Sequence, residues 1–149
     1  MAKVSIYLNF QGNTEEAFNY YRSVFNTEFV GKINYMRDTP AQAGMPPLSE
    51  EDKGKVMHVC LPILGGTQIM GTDSLESMGH HRKIGNNMTI NLEPDTREET
   101  ERLFRMLSDG GSDIAPLQDM FWGSYWGCCL DRFGIRWMFN FTKNQQQNG

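Results

Sequence analysis

The chain has few cysteines, and their spacing does not suggest a shared role. Its 149 residues include three cysteines, Cys60, Cys128 and Cys129. Adjacent cysteines rarely bridge each other, and no Cys-x-x-Cys pair indicates a metal site or a redox motif. We therefore expect reduced thiols that are partly buried in the folded chain.

Long apolar runs and clusters of basic residues are also missing. No apolar stretch approaches about 18 residues, and residues 1–10 lack the apolar core and cleavage site of a signal peptide. The 14 Lys and Arg residues form no run, and with 18 Asp and Glu residues the net charge is −4. We therefore expect no nucleic-acid partner and no membrane partner, and the cytoplasm is the simplest location.

Several common catalytic motifs are missing as well. The sequence has no phosphate-binding loop, no Gly-x-Gly-x-x-Gly segment and no acidic pair spaced for hydrolysis. Because no glycine-rich loop follows the first predicted strand, nothing indicates a nucleotide-derived methyl donor. We expect no cofactor.

The patterns that are present predict one domain with an internal repeat. The first half reads as strand, helix and three strands, with the strands over residues 3–10, 28–36, 55–64 and 67–72. Asn13 or Thr14 is expected to cap the helix, whose apolar spacing extends to Phe25. The second half repeats this order, with a strand over 87–92, a helix over 95–107, a strand over 113–117 and a closing hairpin over 121–138. We expect a first module over residues 3–73, a connector over 74–86, a second module over 87–141 and a frayed tail over 144–149.

One segment of the first module follows neither pattern. Residues 37–54 are rich in Pro, Gly, Ala and acidic residues and show neither helical nor strand periodicity. We predict a long, mobile loop here.

The two β-α-β-β-β modules are expected to enclose a cleft. One helix cannot cover both faces of a curved sheet, so pairing two modules would enclose the remaining faces. A cleft between two sheets is a natural place for a small ligand. The predicted fold class is therefore α+β, with two curved sheets around a cleft.

Four groups of residues carry a resemblance to a known family. They are Tyr7-Leu8-x-Phe10-x-Gly12-Asn13-x-x-Glu16-Ala17-x-x-Tyr20-Tyr21, His58, Ile69-Met70-x-x-Asp73, and Phe121-Trp122-Gly123 followed by Asp131-x-Phe133-Gly134-x-x-Trp137. In this order and spacing, residues 7–141 resemble the PhnB-like family, also described as 3-demethylubiquinone-9 3-methyltransferase-like. That family is a branch of the glyoxalase/bleomycin-resistance, or vicinal oxygen chelate, superfamily.

The superfamily resemblance implies where a metal ion would bind. Its enzymes hold a divalent ion with His or Glu side chains on four cleft-facing strands, and here those positions fall on Ile6, Met70, residues 87–90 and Met138. None of these residues offers a carboxylate or an imidazole, and a thioether is a poor ligand for hard or borderline divalent ions. We therefore expect the superfamily's metal site to be absent.

The three histidines are the remaining candidates for chemistry. His80 and His81 lie in the polar connector, and their role stays open. His58 lies in an apolar strand and needs a partner, for which Asp73 at the end of the paired strand is a candidate. The pair could be structural, or His58 could be a general base that Asp73 orients.

A binding cleft would need adaptable apolar side chains with a few polar ones. Methionine repacks around irregular shapes, and aromatic rings at a cleft mouth can stack on flat ligands. The predicted ligand-binding residues are Ile6, Leu8, His58, Gln68, Met70, Trp122, Tyr125 and Met138.

Two functions therefore remain open. The first is metal-free binding of a small apolar or aromatic molecule in the inter-sheet cleft of a homodimeric protein. The second is an enzyme of the vicinal oxygen chelate type that acts on a small metabolite, using His58 with Asp73 or a metal bound at a nonstandard place. Metal content and ligand binding would separate the two.

Overall fold

The computed structural model describes residues 1–40 and 43–143. The chain forms two compact units, Met1–Lys83 and Ile84–Gly149. Within the described residues, no helix is long and apolar enough to cross a membrane. The predicted frayed tail, residues 144–149, lies outside them.

Unit 1 combines a four-stranded sheet with one long helix. Its elements are β1 (Ile6–Phe10), α1 (Thr14–Phe25), β2 (Asn34–Tyr35), the short α2 (Glu50–Lys53), β3 (Val56–Pro62) and β4 (Gln68–Asp73). The strand order is β1-β4-β3-β2, in which β1 is parallel to β4 and the other pairs are antiparallel. Single turns of 3-10 helix are present at Met36–Asp38, Leu64–Gly66 and Glu76–Met78.

The apolar stripe of α1 packs on one face of this sheet. The stripe consists of Ala17, Phe18, Tyr21 and Val24, which recur at helical spacing and are fully buried. The Phe18 ring meets Phe10 of β1 edge-on, with ring centroids 6.0 Å apart. Gly71 of β4 leaves the space that Phe18 fills, since a Cβ there would lie 2.9 Å from the Phe18 Cζ. The core of unit 1 is therefore between α1 and this face.

Unit 2 repeats the arrangement. Its elements are β5 (Ile90–Leu92), α3 (Arg97–Ser108), β6 (Ser112–Asp119), β7 (Tyr125–Leu130) and β8 (Arg136–Phe141). The strand order is β5-β8-β7-β6, so β5, β6, β7 and β8 occupy the places of β1, β2, β3 and β4. Phe104 of α3 packs edge-on against Phe139 of β8, with centroids 5.4 Å apart. The predicted α+β class with two β-α-β-β-β sheets is confirmed.

Two local predictions in unit 1 were wrong. The second strand, predicted over residues 28–36, is reduced to Asn34–Tyr35, because Gly31, with φ 73°, interrupts the extended backbone before it. The loop predicted over residues 37–54 contains α2, whose first turn is capped by Ser49. Asp52 of α2 is only 5% exposed, so this end of the segment is anchored. Residues 41 and 42 of the same loop lie outside the described residues.

Candidate functional site

Each sheet has one face turned away from its long helix, which we call the helix-free face. Directly paired residues of neighbouring strands share a face, and successive residues alternate between faces, so the register identifies the members. In unit 1 they are Tyr7, Asn9, His58, Cys60, Pro62, Gln68, Met70 and Thr72. In unit 2 they are Asn91, Trp126, Cys128, Leu130, Arg136, Met138 and Asn140.

Only some of the predicted ligand-binding residues lie on the helix-free faces. His58, Gln68 and Met70 lie on the helix-free face of unit 1, and Met138 lies on that of unit 2. Ile6 and Leu8 do not join them, because Ile6 pairs with Ile69 and Leu8 with Gly71 on the face that α1 covers. Ile6 and Leu8 share one face of β1, as the alternation of a strand predicts, but this face packs against α1.

Tyr125 also faces a helix. Its ring lies under the Arg97 guanidinium, 3.7 Å from Cζ to the centroid, and its hydroxyl donates to the Glu101 carboxylate over 3.0 Å. Burial raises the pKa of this phenol, and the hydrogen bond to Glu101 raises it further. The neighbouring Trp126, paired with Asn140, occupies the helix-free face instead.

Trp122 lies in the turn between β6 and β7. Its side chain is 53% exposed, and its ring meets Phe121 edge-on with centroids 5.0 Å apart. The structure therefore places Trp122 beside Phe121 in this turn, outside the strands that form the helix-free face.

Asp73 does not pair with His58. Its Oδ1 accepts hydrogen bonds from the amide of Gly12 at 2.9 Å, the amide of Thr14 at 3.1 Å and the hydroxyl of Thr14 at 2.6 Å. Its Oδ2 accepts from the Val56 amide at 2.8 Å. The carboxylate thus caps the positive N-terminus of α1, a role predicted for Asn13 or Thr14. The predicted His58–Asp73 pair is wrong because Asp73 faces α1 and His58 faces the other way.

His58 has an aromatic neighbour in place of a carboxylate. Its ring centroid lies 6.1 Å from that of Tyr7, with the ring planes inclined by 38°. Strand β4 lies between β1 and β3 in the sheet, so both rings lean over β4. Tyr7 is 48% exposed, which leaves much of its ring available to another molecule.

Cys60 and Gln68 belong to the same face. Cys60 is opposite Met70, and Gln68 accepts a hydrogen bond from the Lys3 ammonium group at 3.1 Å. Cys60 is 7% exposed, and burial raises the pKa of its thiol, an effect that the charge of Lys3 partly opposes. The protonated thiol is therefore favoured, which makes Cys60 a poor nucleophile at neutral pH.

The helix-free face of unit 2 has a different chemistry. Met138 lies between Asn91 and Cys128 in the register. The amide of Asn140 donates to that of Asn91 over 2.7 Å. Arg136 donates to the Gly85 carbonyl at 2.8 Å and to the Asp113 carboxylate at 3.1 Å. Neutral amides and a neutralised cation therefore surround the methionine.

The register also corrects the positions at which the superfamily would hold its ion. Tyr7, not Ile6, lies beside Met70, and Asn91, just outside the predicted range of 87–90, lies beside Met138. Unit 1 thus offers a phenol and a thioether and unit 2 an amide and a thioether, and neither pair fits a hard divalent ion. Among the residues that the structure describes, no three His, Cys, Asp or Glu side chains are grouped to hold a metal.

Three proteins are similar to this chain over most of its length. Protein YjdN of Escherichia coli (strain K12) is 29% identical over 154 residues, covering 95% of this chain and 97% of YjdN. Protein PA1353 from Pseudomonas aeruginosa has a crystal structure with a TM-score of 0.79 at 31% identity, covering 95% and 98% of the two chains. A PhnB protein from Bacillus cereus gives a TM-score of 0.73 at 26% identity, covering 95% and 100%.

More distant structures show the fold. A glyoxylase/bleomycin resistance protein/dioxygenase domain from Frankia sp. EAN1pec has a TM-score of 0.64 at 9% identity, covering 95% of this chain and 93% of that domain. At such low identity the likeness concerns the fold alone. The family model described as 3-demethylubiquinone-9 3-methyltransferase matches residues 2–139. The chain therefore belongs to this PhnB-like family, and it shares its fold with glyoxalase/bleomycin-resistance proteins.

Proposed function

We propose that the protein binds a small apolar or aromatic molecule on the helix-free faces of its sheets, without a divalent metal ion. The observation that carries this proposal is the grouping of Tyr7, His58 and Met70 on one face of unit 1. Two inclined aromatic rings and a flexible thioether form a surface that adapts to a flat or irregular apolar ligand.

Neutral polar groups around this centre would orient the ligand. Asn9 and Thr72 are paired on the same face, and Gln68 lies at its other end. Small-molecule sites combine a mostly apolar lining with a few such hydrogen-bonding groups. These three groups carry no charge, and the Lys3 ammonium group beside Gln68 is exposed to solvent. The surface therefore favours a neutral ligand, or one whose charge remains in solvent.

The same geometry argues for binding over catalysis. The general-base hypothesis required Asp73 to orient His58, and Asp73 instead caps α1. The Cys60 thiol is held in its protonated form by burial. The methyltransferase description of the family has no counterpart here in a glycine-rich loop after β1. Sequestration or sensing of a small molecule needs none of these groups.

A thermal-shift screen of aromatic and apolar metabolites tests the proposal, with metal content measured on the same protein purified without a His-tag. A bound ligand should raise the melting temperature of metal-free protein. Met70→Glu should reduce that rise, since it places a carboxylate beside Tyr7. Met45→Glu, at an exposed methionine in the segment before α2, is the matched control and should leave the rise unchanged.

Two results would contradict the proposal. Stoichiometric Fe, Mn, Ni or Zn in the purified protein would remove the metal-free part. An unaltered ligand response in Met70→Glu would place the binding surface elsewhere. The expected homodimer and cytoplasmic location stay predictions, which light scattering and cell fractionation can check.

A further inference from the structure

A sulfur pair recurs at equivalent places in the two units. Cys60 on β3 lies opposite Met70 on β4, and Cys128 on β7 lies opposite Met138 on β8. The strands β3 and β4 hold the same places in the strand order as β7 and β8. Directly opposed residues of antiparallel strands have Cβ atoms about 4.5 to 5.5 Å apart, so both sulfur atoms can reach one bound ion.

In unit 1 an imidazole joins the sulfur pair. His58 lies two residues before Cys60 and shares its face. Its ring centroid is 6.1 Å from that of Tyr7 on β1, although β4 separates the two strands and two strand spacings amount to about 10 Å. The two rings therefore approach each other over β4, the strand that carries Met70.

Unit 2 has no imidazole beside its sulfur pair. The residue two places before Cys128 is Trp126, whose indole nitrogen is a hydrogen-bond donor without a lone pair for a metal. The sulfur pair of unit 1 thus has a nitrogen ligand beside it, and the sulfur pair of unit 2 has none. Unit 2 is therefore a natural control for unit 1.

We propose that His58, Cys60 and Met70 form a binding site for Cu(I) on the helix-free face of unit 1. Thiolate and thioether ligands select soft cations such as Cu(I), and imidazole suits copper as well. Hard cations such as Mg²⁺ and Ca²⁺ require oxygen ligands, and structural Zn²⁺ sites use four Cys, His or carboxylate ligands. This site shares His58 and Met70 with the proposed small-molecule surface, but copper binding does not depend on that proposal.

Binding exchanges the thiol proton of Cys60 for the metal ion. The S–H bond breaks, a Cu–S bond forms, and one proton passes to solvent. Lone pairs from the Met70 sulfur and a His58 ring nitrogen complete a three-coordinate ion, and no electron is transferred. A Cu(I)–thiolate pair has no net charge, so burial disfavours it less than a free thiolate.

Anaerobic titration of the full chain with Cu(I) against the chelator bathocuproine disulfonate tests the site. We expect one tightly bound Cu(I) per chain. Met70→Leu preserves the volume and removes one sulfur, and it should weaken affinity by about tenfold or more, as should Cys60→Ser and His58→Gln. The matched unit 2 variants Met138→Leu and Cys128→Ser should keep the affinity of the original chain.

The pH dependence gives a separate readout. Because one thiol proton leaves for each ion bound, affinity should rise about tenfold per pH unit while the free thiol is protonated. Above about pH 7.5, where imidazole is neutral, Cys60→Ser should lose this dependence. Affinity that is independent of pH in the original chain would overturn the proposed thiolate ligand.

Two further outcomes would overturn the proposal. The original chain could fail to compete with the chelator, or Met70→Leu could bind as tightly as the original chain. A loss of affinity in Cys128→Ser, but not in Cys60→Ser, would move the ion to unit 2 and refute the assignment. Circular dichroism and melting temperature verify that each variant is folded. If Cys60→Ser does not fold, the affinities of Met70→Leu and His58→Gln test the proposed site. Small-molecule binding is measured without copper, so failure of one proposal is distinguishable from failure of the other.

Discussion

Cys60 and Met70 lie directly opposite each other on the neighbouring antiparallel strands β3 and β4. This register places both side chains on the helix-free face of unit 1. The Cα atoms of directly opposed residues in such strands are about 4.5 to 5.5 Å apart, a separation that a disulfide can span.

The first prediction tests this register. Met70→Cys should form a disulfide with Cys60 on mild oxidation, and peptide mapping should identify the bridge between β3 and β4. Ile69→Cys is the control, since it lies opposite Leu61 on the face that α1 covers. A bridge to Cys60 in the control, or none in Met70→Cys, would show that the two strands pair in another register.

The sequence predicted the long elements because each has a strong local pattern. The stripe of α1 contains Ala17, Phe18, Tyr21 and Val24 at helical spacing, and the alternation of β1 separates Phe10 from Asn9. The short strand β2 could not be delimited in this way, because its two residues depend on a bulged pairing with β3. The helix α2 has only four residues, too few for a period, although Ser49 is a recognisable cap.

The second prediction concerns the tight packing of Phe18 on Gly71. In Gly71→Ala the new Cβ would meet the Phe18 ring, 2.9 Å from Cζ and closer still to Cε1. Phe18 is fully buried, so its ring cannot move aside without disturbing the core. The free energy of unfolding should fall by about 1 to 3 kcal/mol, measured by urea denaturation.

Gly54→Ala is the matched control for this substitution. Gly54 has φ −85°, and a Cβ there would meet only the Glu51 carbonyl oxygen, at 3.8 Å. Its free energy of unfolding should change by no more than about 0.5 kcal/mol. Equal stability of the two variants would mean that α1 does not press on the sheet at Gly71.

The third prediction concerns the carboxylate of Asp73. Both of its oxygens accept hydrogen bonds, so Asp73→Asn would place an amide N–H against the Val56 amide or against the donors of Gly12 and Thr14. Leaving a buried donor without an acceptor should lower the free energy of unfolding by about 2 to 3 kcal/mol. Ligand binding by the folded variant should be unchanged, because Asp73 faces α1.

Asp38→Asn provides the comparison for Asp73→Asn. The exposed Asp38 uses one oxygen to accept from the Tyr35 amide, and an asparagine oxygen can take that place. Its stability should stay within about 0.5 kcal/mol of the original chain. If Asp73→Asn were stable but lost ligand binding, the structural assignment of Asp73 would be refuted.

The residues of the site were harder to predict than the fold. Alternation in β1 identified two sets of residues, but it did not show which set α1 would cover, and so Ile6 was assigned in place of Tyr7. The capping of α1 by Asp73 joins residues 59 positions apart, and no local pattern indicates such a contact. The place of Tyr125 depends in the same way on Arg97 and Glu101 of α3.

The last prediction concerns the acid sensitivity of unit 1. The Ser77 hydroxyl donates to the buried Asp52 carboxylate at 2.6 Å, and the Lys55 ammonium group contacts its other oxygen at 3.0 Å. The hydrogen bond from Ser77, followed by that from Lys55, holds the pKa of Asp52 below its ordinary value of 3.8. A carboxyl group whose pKa is lowered by folding stabilises the folded state above its unfolded pKa, and this contribution is lost as pH falls.

Asp52→Asn should therefore be less stable than the original chain at neutral pH, and the difference should shrink as the pH falls below about 4. Urea denaturation at a series of pH values measures this difference directly. Glu50→Gln is the control, because the exposed Glu50 pairs with Lys53 at the surface, where such pairs contribute little. The difference in stability could instead stay constant down to pH values well below 4. That result would mean that the charge of Asp52 does not contribute to the free energy of unfolding. The anchoring of α2 to the turn after β4 would then depend on the shape of the side chain alone.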